Sequence, residues 1–204
     1  MLQVALANPD LSLDSLRATC GEVLEAQSEQ EQLLEALFTL SHSQAGLEQQ
    51  EPLDLASLTE EVLLARQGEA EERGLKIQAS LAPAPAVGDP RLVERLVANL
   101  VDNALRHNRE HGHIEVATER RADVAMIVVA NTGPVVAPGD AERLFEPFRR
   151  VGSSRVNSGD GHGLGLSIVR AIADAHGAAL TVEPQREGGL RVEVVFPAPV
   201  PEAG

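Results

Sequence analysis

Apolar residues recur at three- and four-residue steps over several long stretches of this chain and alternate with polar ones over short stretches between them. The longest helical pattern covers residues 13–44, where Leu16, Cys20, Val23, Gln27, Gln30, Leu34, Leu37 and Ser41 follow in four-three steps. Leu24, Leu33 and Phe38 widen that stripe, which predicts a bundle or coiled-coil seam with Cys20 in its core. The glutamines of the seam either fix its register or face solvent where it frays. Before it, MLQVALANPDLS reads as the end of another helix, stopped at Asn8-Pro9. Pro52 and Asp54 introduce a predicted helix over 55–73. Asp89-Pro90 starts the next one, with Asp89 as cap and Pro90 in the first turn. From there Leu92, Val93, Leu96, Val97, Leu100, Val101, Ala104 and Leu105 form a buried stripe. A last helical period runs through LSIVRAIADAHG after residue 165.

The strand signals lie between these helices. LKIQASL at 75–81 alternates with period two, and LAPAPAVGDP after it reads as a proline-rich connection. HIEVATE at 113–119 and DVAMIVVA at 123–130 predict one hairpin. AALTVEP and LRVEVVF, joined through Glu187-Gly188-Gly189, predict another. Residues 137–162 have the Gly, Ser, Arg and Pro content of a mobile lid. The expectation is an α+β fold: a two-layer α/β sandwich of about five strands in a mixed sheet and three helices, preceded by one long helix. PAPVPEAG reads as a disordered tail.

The polar side of the helix over 90–108 brings in chemistry. Asn99, Asp102, Asn103 and Arg106 fall on one face, since residues three and four apart are neighbours on a helix. Two carboxamide oxygens one turn apart suit magnesium, which takes few protein ligands beside waters and phosphate oxygens. Arg106 suits phosphate through charge-assisted hydrogen bonds. A plain amphipathic helix with a wet face explains the same residues taken alone. The second motif, GDGHGLGL at 159–166, shifts the balance: closely spaced glycines admit a ligand to the backbone, and a helix start just after them offers free N–H groups to phosphate. It is no Walker loop, because the chain's one lysine, Lys76, lies far away. Nor is it a dinucleotide fingerprint, because polar, loop-like residues 149–158 precede it where a strand is required.

Four strings in order resemble the sensor histidine kinases of two-component systems, whose catalytic domain belongs to the GHKL ATPases. NLVDNALRHN at 99–108 resembles the asparagine box, ANTGPVV at 130–136 the first glycine box, LFEPFRR at 144–150 the phenylalanine box, and GDGHGLGL the second glycine box. The resemblance implies a site for ATP and Mg²⁺. Asn99 and Asn103 would hold the metal, with Asn99 and Arg106 in the catalytic machinery and Arg106 on the phosphates. His107 would lie near the nucleotide or simply end its helix. Asn131 and Gly133 would meet the base, and Arg149 or Arg150 would reach the phosphates. Gly161, Gly163, Leu164 and Gly165 would close the lid. Phe145 and Phe148 would anchor the lid's near end, or serve as core anchors. Asn131 stands where the family has aspartate and Val135 where it has a second glycine, which implies weaker adenine binding. Other GHKL ATPases use a glutamate base at the position of Asn99.

The resemblance also divides the chain. Residues 1–50 correspond to part of a helical dimerisation domain, residues 51–198 to the ATP-binding catalytic domain, and 199–204 to the tail. The family's hairpin would have a first arm of about 10 Å here against about 45 Å for the second, at 1.5 Å per residue. None of the six histidines stands in the phosphoacceptor context; His42 lies at the far end of the second arm. The acceptor is therefore expected before Met1. The function expected is transfer of the ATP γ-phosphate to a histidine not present in this sequence, leading to a response regulator receiver domain, in a homodimer paired through 13–44; transfer to a histidine supplied by another chain stays open. The alternative is a catalytically silent module that pairs with an intact histidine kinase through the same helix. With 31 acidic against 17 basic side chains and a formal net charge of −14, nucleic acid and anionic membranes are excluded as partners. One cysteine allows no internal disulfide, and no apolar stretch reaches bilayer length, so a cytoplasmic location is expected.

Overall fold

The computed structural model describes residues 19–21, 50–146 and 164–197. The elements run β1 (Glu51–Asp54), α1 (Leu55–Glu72), β2 (Lys76–Leu81), β3 (Pro85–Gly88), α2 (Pro90–Arg106), β4 (His113–Arg121) and β5 (Val124–Asn131). A short helix α3 (Pro138–Ala141) continues into a 3₁₀ turn (Glu142–Phe145), and α4 (Gly165–Ala175), β6 (Ala179–Pro184) and β7 (Leu190–Pro197) complete the order. Five strands form a mixed sheet in the order β2-β4-β5-β7-β6, with only β2 and β4 parallel. This is the expected α+β sandwich.

The core sits between the helices and one face of that sheet. Val93, Leu96, Val97, Leu100, Val101, Ala104 and Leu105 of α2 are all buried, as the stripe predicts. They share a cluster with Ile114 and Val116 of β4, Ala125, Ile127 and Val129 of β5, and Val192, Val194 and Phe196 of β7. Leu166, Ile168, Val169 and Ile172 bring α4 into the same cluster. Alternate residues of β5 point to the opposite face, where Met126, Val128 and Ala130 stand opposite Glu119, Glu193 and Arg191. They too are buried, because long charged side chains on neighbouring strands shield a narrow apolar strip.

Two strands appear that the sequence reading did not include, one of them inside the proline-rich connection. β1 and β3 form an antiparallel ribbon that pairs Pro52 with Val87 and Asp54 with Pro85. A two-strand ribbon leaves one edge of each strand unpaired, and proline is tolerated there. Asp54 ends β1 and begins α1 in the same step. Its carboxylate accepts from the N–H groups of Ala56 (3.3 Å) and Ala84 (2.7 Å), so one side chain caps α1 and ties down the approach to β3. The predicted lid also starts later than its composition suggested, since Pro138–Phe145 is helical and Val136, Ala141 and Leu190 make a small apolar cluster beneath it.

Of the long helix predicted over 13–44, Thr19–Gly21 is helical and the remainder lies outside the described residues, as do His42 and the tail. Cys20 is exposed, which corrects its assignment to a core. A seam position is buried only by a facing helix, and none of the described chain covers this one.

His176 caps the C-terminus of α4 as a buried neutral imidazole. Its Nδ1 lies 2.7 Å from the Ile172 carbonyl, which fixes the proton there, and its Nε2 accepts the Asp89 N–H at 3.0 Å. The ring meets Phe196 edge-on at 5.8 Å. Burial holds its pKa below the ordinary histidine value, against smaller opposing effects of the Ile172 carbonyl and Asp89. The unfolded chain therefore takes up this proton at higher pH than the folded one. The resulting stability is complete above about pH 6.5 and is lost as pH falls toward the lowered folded pKa. Urea denaturation at pH 7.5 and 5.5 is expected to show a larger acid loss for the wild type than for His176→Gln; equal losses would refute the assignment.

Candidate nucleotide-binding site

Asn99, Asn103 and His107 stand one turn apart on α2, a track of about 12 Å at 1.5 Å per residue. The buried stripe on the opposite side fixes which way that track faces. Asn99 is half-buried, and its Nδ2 donates to the Arg95 carbonyl at 2.9 Å, leaving Oδ1 to face outward. A Cβ placed on Gly165 would lie 3.2 Å from that oxygen. The Asn99 oxygen thus meets the head of α4, although the two segments are far apart in sequence. Asn103 is half-buried too, and its carboxamide has no partner among the described residues. Arg106 is exposed in the last turn of α2, and His107 caps the helix, donating its N–H to the Asn103 carbonyl at 3.0 Å.

Asp102 does not share this face. Its carboxylate turns to α1, taking Arg66 Nε at 3.0 Å and Nη2 at 3.5 Å. That hydrogen bond raises the Arg66 pKa despite partial burial. A step of 100° per residue puts Asp102 between the site and α1, and the guanidinium draws it to the α1 side.

The glycine motif ends at the head of α4, and its earlier glycines lie outside the described residues. Leu164 is buried in the main core, and its carbonyl accepts the Ile168 N–H (2.9 Å) and the Ser167 hydroxyl (2.8 Å). The N–H groups of Gly165, Leu166 and Ser167 precede the first intrahelical bond and carry the positive end of the helix dipole. Phe145 is buried at the foot of the predicted lid, with the Arg170 guanidinium of α4 5.2 Å from its ring centre. It is a core anchor and also fastens the segment that leads into the lid. Phe148, Arg149, Arg150, Gly161 and Gly163 lie outside the described residues.

The far end of the track is closed by backbone packed against backbone. Asn131, the last residue of β5, is 5% exposed; its Nδ2 donates to the carbonyls of Thr132 (2.8 Å) and His107 (3.4 Å). Its Oδ1 receives no hydrogen bond from a described residue. Gly133 follows because a Cβ there would overlap the His107 carbonyl. Thr132 and Asn108, which the motif reading passed over, lock this corner. The Thr132 hydroxyl donates to Asn108 Oδ1 at 2.6 Å and accepts the His113 N–H at 2.9 Å, while Asn108 Nδ2 reaches the carbonyls of Ala104 and His113. Both are polar residues inside the recognised boxes, which was the one available signal. The β6–β7 turn closes the other side: Gln185 Nε2 donates to the carbonyls of Asn131 and Leu190, both at 3.2 Å.

The chain is similar to known proteins in sequence and fold. The family described as "Histidine kinase-, DNA gyrase B-, and HSP90-like ATPase" matches residues 88–200. The sensor protein CutS of Streptomyces coelicolor is 38% identical over 199 residues, covering 97% of this chain and 48% of CutS. The sensor histidine kinase CpxA of Escherichia coli is 33% identical over 205 residues, covering 96% of this chain and 44% of CpxA. The chain therefore spans about half the length of these relatives. Among solved structures, the mycobacterial sensor histidine kinase MprB matches with a TM-score of 0.63 at 26% identity, over 74% of this chain and all of that one. The Acinetobacter baumannii histidine kinase AdeS shares the fold over 98% of this chain and 94% of its own, with a TM-score of 0.74 at 23% identity.

Thr132 is 5% exposed with its hydroxyl fully engaged. Thr132→Val is expected to cost about 1–3 kcal/mol, the penalty for stranding its buried partners. Combining it with Asn108→Ala should cost less than the two single losses together, because both belong to one network. Chemical denaturation of the four proteins measures this; strict additivity would contradict the shared network.

Proposed function

This chain belongs to the histidine kinase-, DNA gyrase B- and HSP90-like ATPase family and carries the ATP-binding catalytic domain of a sensor histidine kinase, and from that premise we propose that it binds Mg²⁺–ATP along α2 and passes the γ-phosphate to a histidine outside this sequence. The base lies at the Asn131 end, and the phosphates run past Asn103 to the head of α4. The observation that carries this reading is the approach of Asn99 Oδ1 to Gly165, which brings an oxygen donor and free helix N–H groups to one place.

The side chains fit a magnesium ion held mainly by phosphate and water. Among the described residues no group of three or more His, Cys, Asp or Glu is placed to hold a metal. Asn99 Oδ1 and the Asn103 carboxamide would supply neutral oxygen ligands, and the bound ion would neutralise phosphate charge. The remaining work falls to positioning. Gly165, Leu166 and Ser167 present N–H groups to phosphate oxygens, with Arg106, and Arg149 or Arg150 from the lid, adding positive charge. Gly161 and Gly163 close over the phosphate tail. A neutral imidazole is nucleophilic enough to attack once aligned, so no general base is required of Asn99.

The same reading gives the partners. Two copies pair through 13–44, and the phosphohistidine passes its phosphoryl group to a response regulator receiver domain in the cytoplasm. No helix among the described residues is long and apolar enough to cross a membrane.

Calorimetric titration of the full chain with a non-hydrolysable ATP analogue is expected to show binding that strengthens with Mg²⁺. Asn103→Ala should weaken the Mg²⁺-dependent binding about tenfold or more and leave metal-free binding nearly unchanged. With radiolabelled ATP, label should appear on an added dimerisation domain and stay off this chain. Binding without metal dependence would favour the silent interaction module, and label on His42 would overturn transfer in trans.

A further inference from the structure

Asp102 has two arginines to choose between. It stands one turn before Arg106 on α2, with the acid N-terminal to the base, the orientation that favours an ion pair four residues apart. It is also the one carboxylate within a turn of Arg106 on that helix. The local pair nevertheless does not form. Arg66 of α1, 36 residues away in sequence, donates to one Asp102 oxygen from Nε at 3.0 Å and to the other from Nη2 at 3.5 Å. Arg106 is left exposed, with no ion pair to a described residue.

Packing makes Arg66 the winning partner. Val62 and Ala70, four residues to either side of it on α1, are both buried, so Arg66 is delivered to the rim of the α1–α2 contact. Of the other acids near it, Glu69 is held by Arg73 at 2.9 Å and Glu94 is exposed. Arg73 also reaches the Leu105 carbonyl at 3.5 Å, so α1 grips the last turn of α2 one residue before Arg106.

We propose that Arg66 is a positioning residue for phosphate binding: by holding Asp102 against α1 it denies Arg106 its local partner and leaves that guanidinium to the phosphates of the nucleotide. The inference rests on the nucleotide reading above and assigns Arg66 a part in it. Without Arg66, Asp102 turns toward Arg106. A phosphate must then break that pair and meet an added negative charge beside Asn103. Asp102 itself contributes nothing to the ligand; its charge has only to be kept away, so removing the acid should substitute for the arginine.

The test titrates the full chain, in Mg²⁺, with a non-hydrolysable ATP analogue and with adenosine. Arg66→Met is expected to weaken the ATP analogue about fivefold and to leave adenosine within about twofold. A general loosening of α1 would weaken both ligands alike, and that result overturns the proposal. Adding Asp102→Asn to Arg66→Met should bring the ATP analogue back to within about twofold of the wild type. In an Arg106→Gln background, Arg66→Met should have less than about a twofold effect. Failure of Asp102→Asn to restore binding overturns the proposal, and so does an undiminished effect of Arg66→Met in the Arg106→Gln background. If Arg66→Met does not fold, the wild type still decides the matter: the Arg106 Nε–H NMR signal should shift on adding the ATP analogue and stay put with adenosine, and an Arg106 signal indifferent to the ATP analogue refutes the assignment. A wild type that binds no ATP analogue removes the nucleotide reading and this inference together, whereas tight binding with the wrong mutant pattern removes only the inference.

Discussion

Burial of one stripe of α2 governs the rest of the molecule. Val93, Val97 and Val101 have no exposed surface, and Leu96, Leu100 and Leu105 retain at most 2%. Each such side chain is worth roughly 1.5–3 kcal/mol out of water, against about 1 kcal/mol net for an ordinary hydrogen bond. Turning α2 about its axis to improve a polar contact would therefore cost far more than the contact returns. The apolar stripe sets the rotation of the helix, and the rotation sets where Asn99, Asn103 and His107 face. α4 is placed the same way, by Ile168 and Ile172, both buried in the same cluster. The meeting of Asn99 with Gly165 is a consequence of two hydrophobic dockings on one sheet.

Hydrogen bonds then refine what packing has placed. At the Asn131 end three chain reversals converge: the α2–β4 connection, the segment after β5 and the β6–β7 turn. Apart from Val136 they bury no apolar side chain, so their mutual position depends mainly on Asn108, Thr132 and Gln185, and on Gly133 and Gly189 where a Cβ would collide. Several of these bonds run from one segment to another, so loosening one exposes the partners of the next. The site is firm at this end because its parts hold one another. At the α4 end, the N–H groups of Gly165, Leu166 and Ser167 and the Asn103 carboxamide have no partner among the described residues.

How far the sequence could be read follows from the range of the interaction involved. The α2 stripe was legible because a helical period repeats over many residues, and every residue of that stripe except the partly buried Leu92 is buried. β4, β5 and β7 were legible through alternation. β1 and β3 were not, because a four-residue strand holding a proline carries almost no period. The face of Asp102 was misread because an azimuth alone does not reveal a partner such as Arg66, 36 residues away. Cys20 was misread because a seam is buried only by a second helix. Thr132 and Gln185 were missed for a related reason: their partners lie 24 and 54 residues away, and no local spacing encodes such a contact. Motif order located the site, and long-range hydrogen bonds decide how it is held.

A chain with a formal net charge of −14 that is to bind a polyanion must keep its acids away from the binding track. Asp102 is the one carboxylate that sequence places beside Asn103, and unopposed it would repel phosphate. Arg66 answers it from α1 at 3.0 Å, neutralising the charge and drawing the carboxylate off the asparagine face. At the far end of the track, in the proposed nucleotide site, the same demand is met by using no carboxylate. Asn131 offers an acceptor oxygen with no net charge, and it stands among carbonyls that would repel an anion. The polar track along α2 is thus built from neutral amides, with charge admitted only as arginine. An acidic protein keeps a local environment that accepts phosphate because the residues facing the ligand carry oxygen without negative charge.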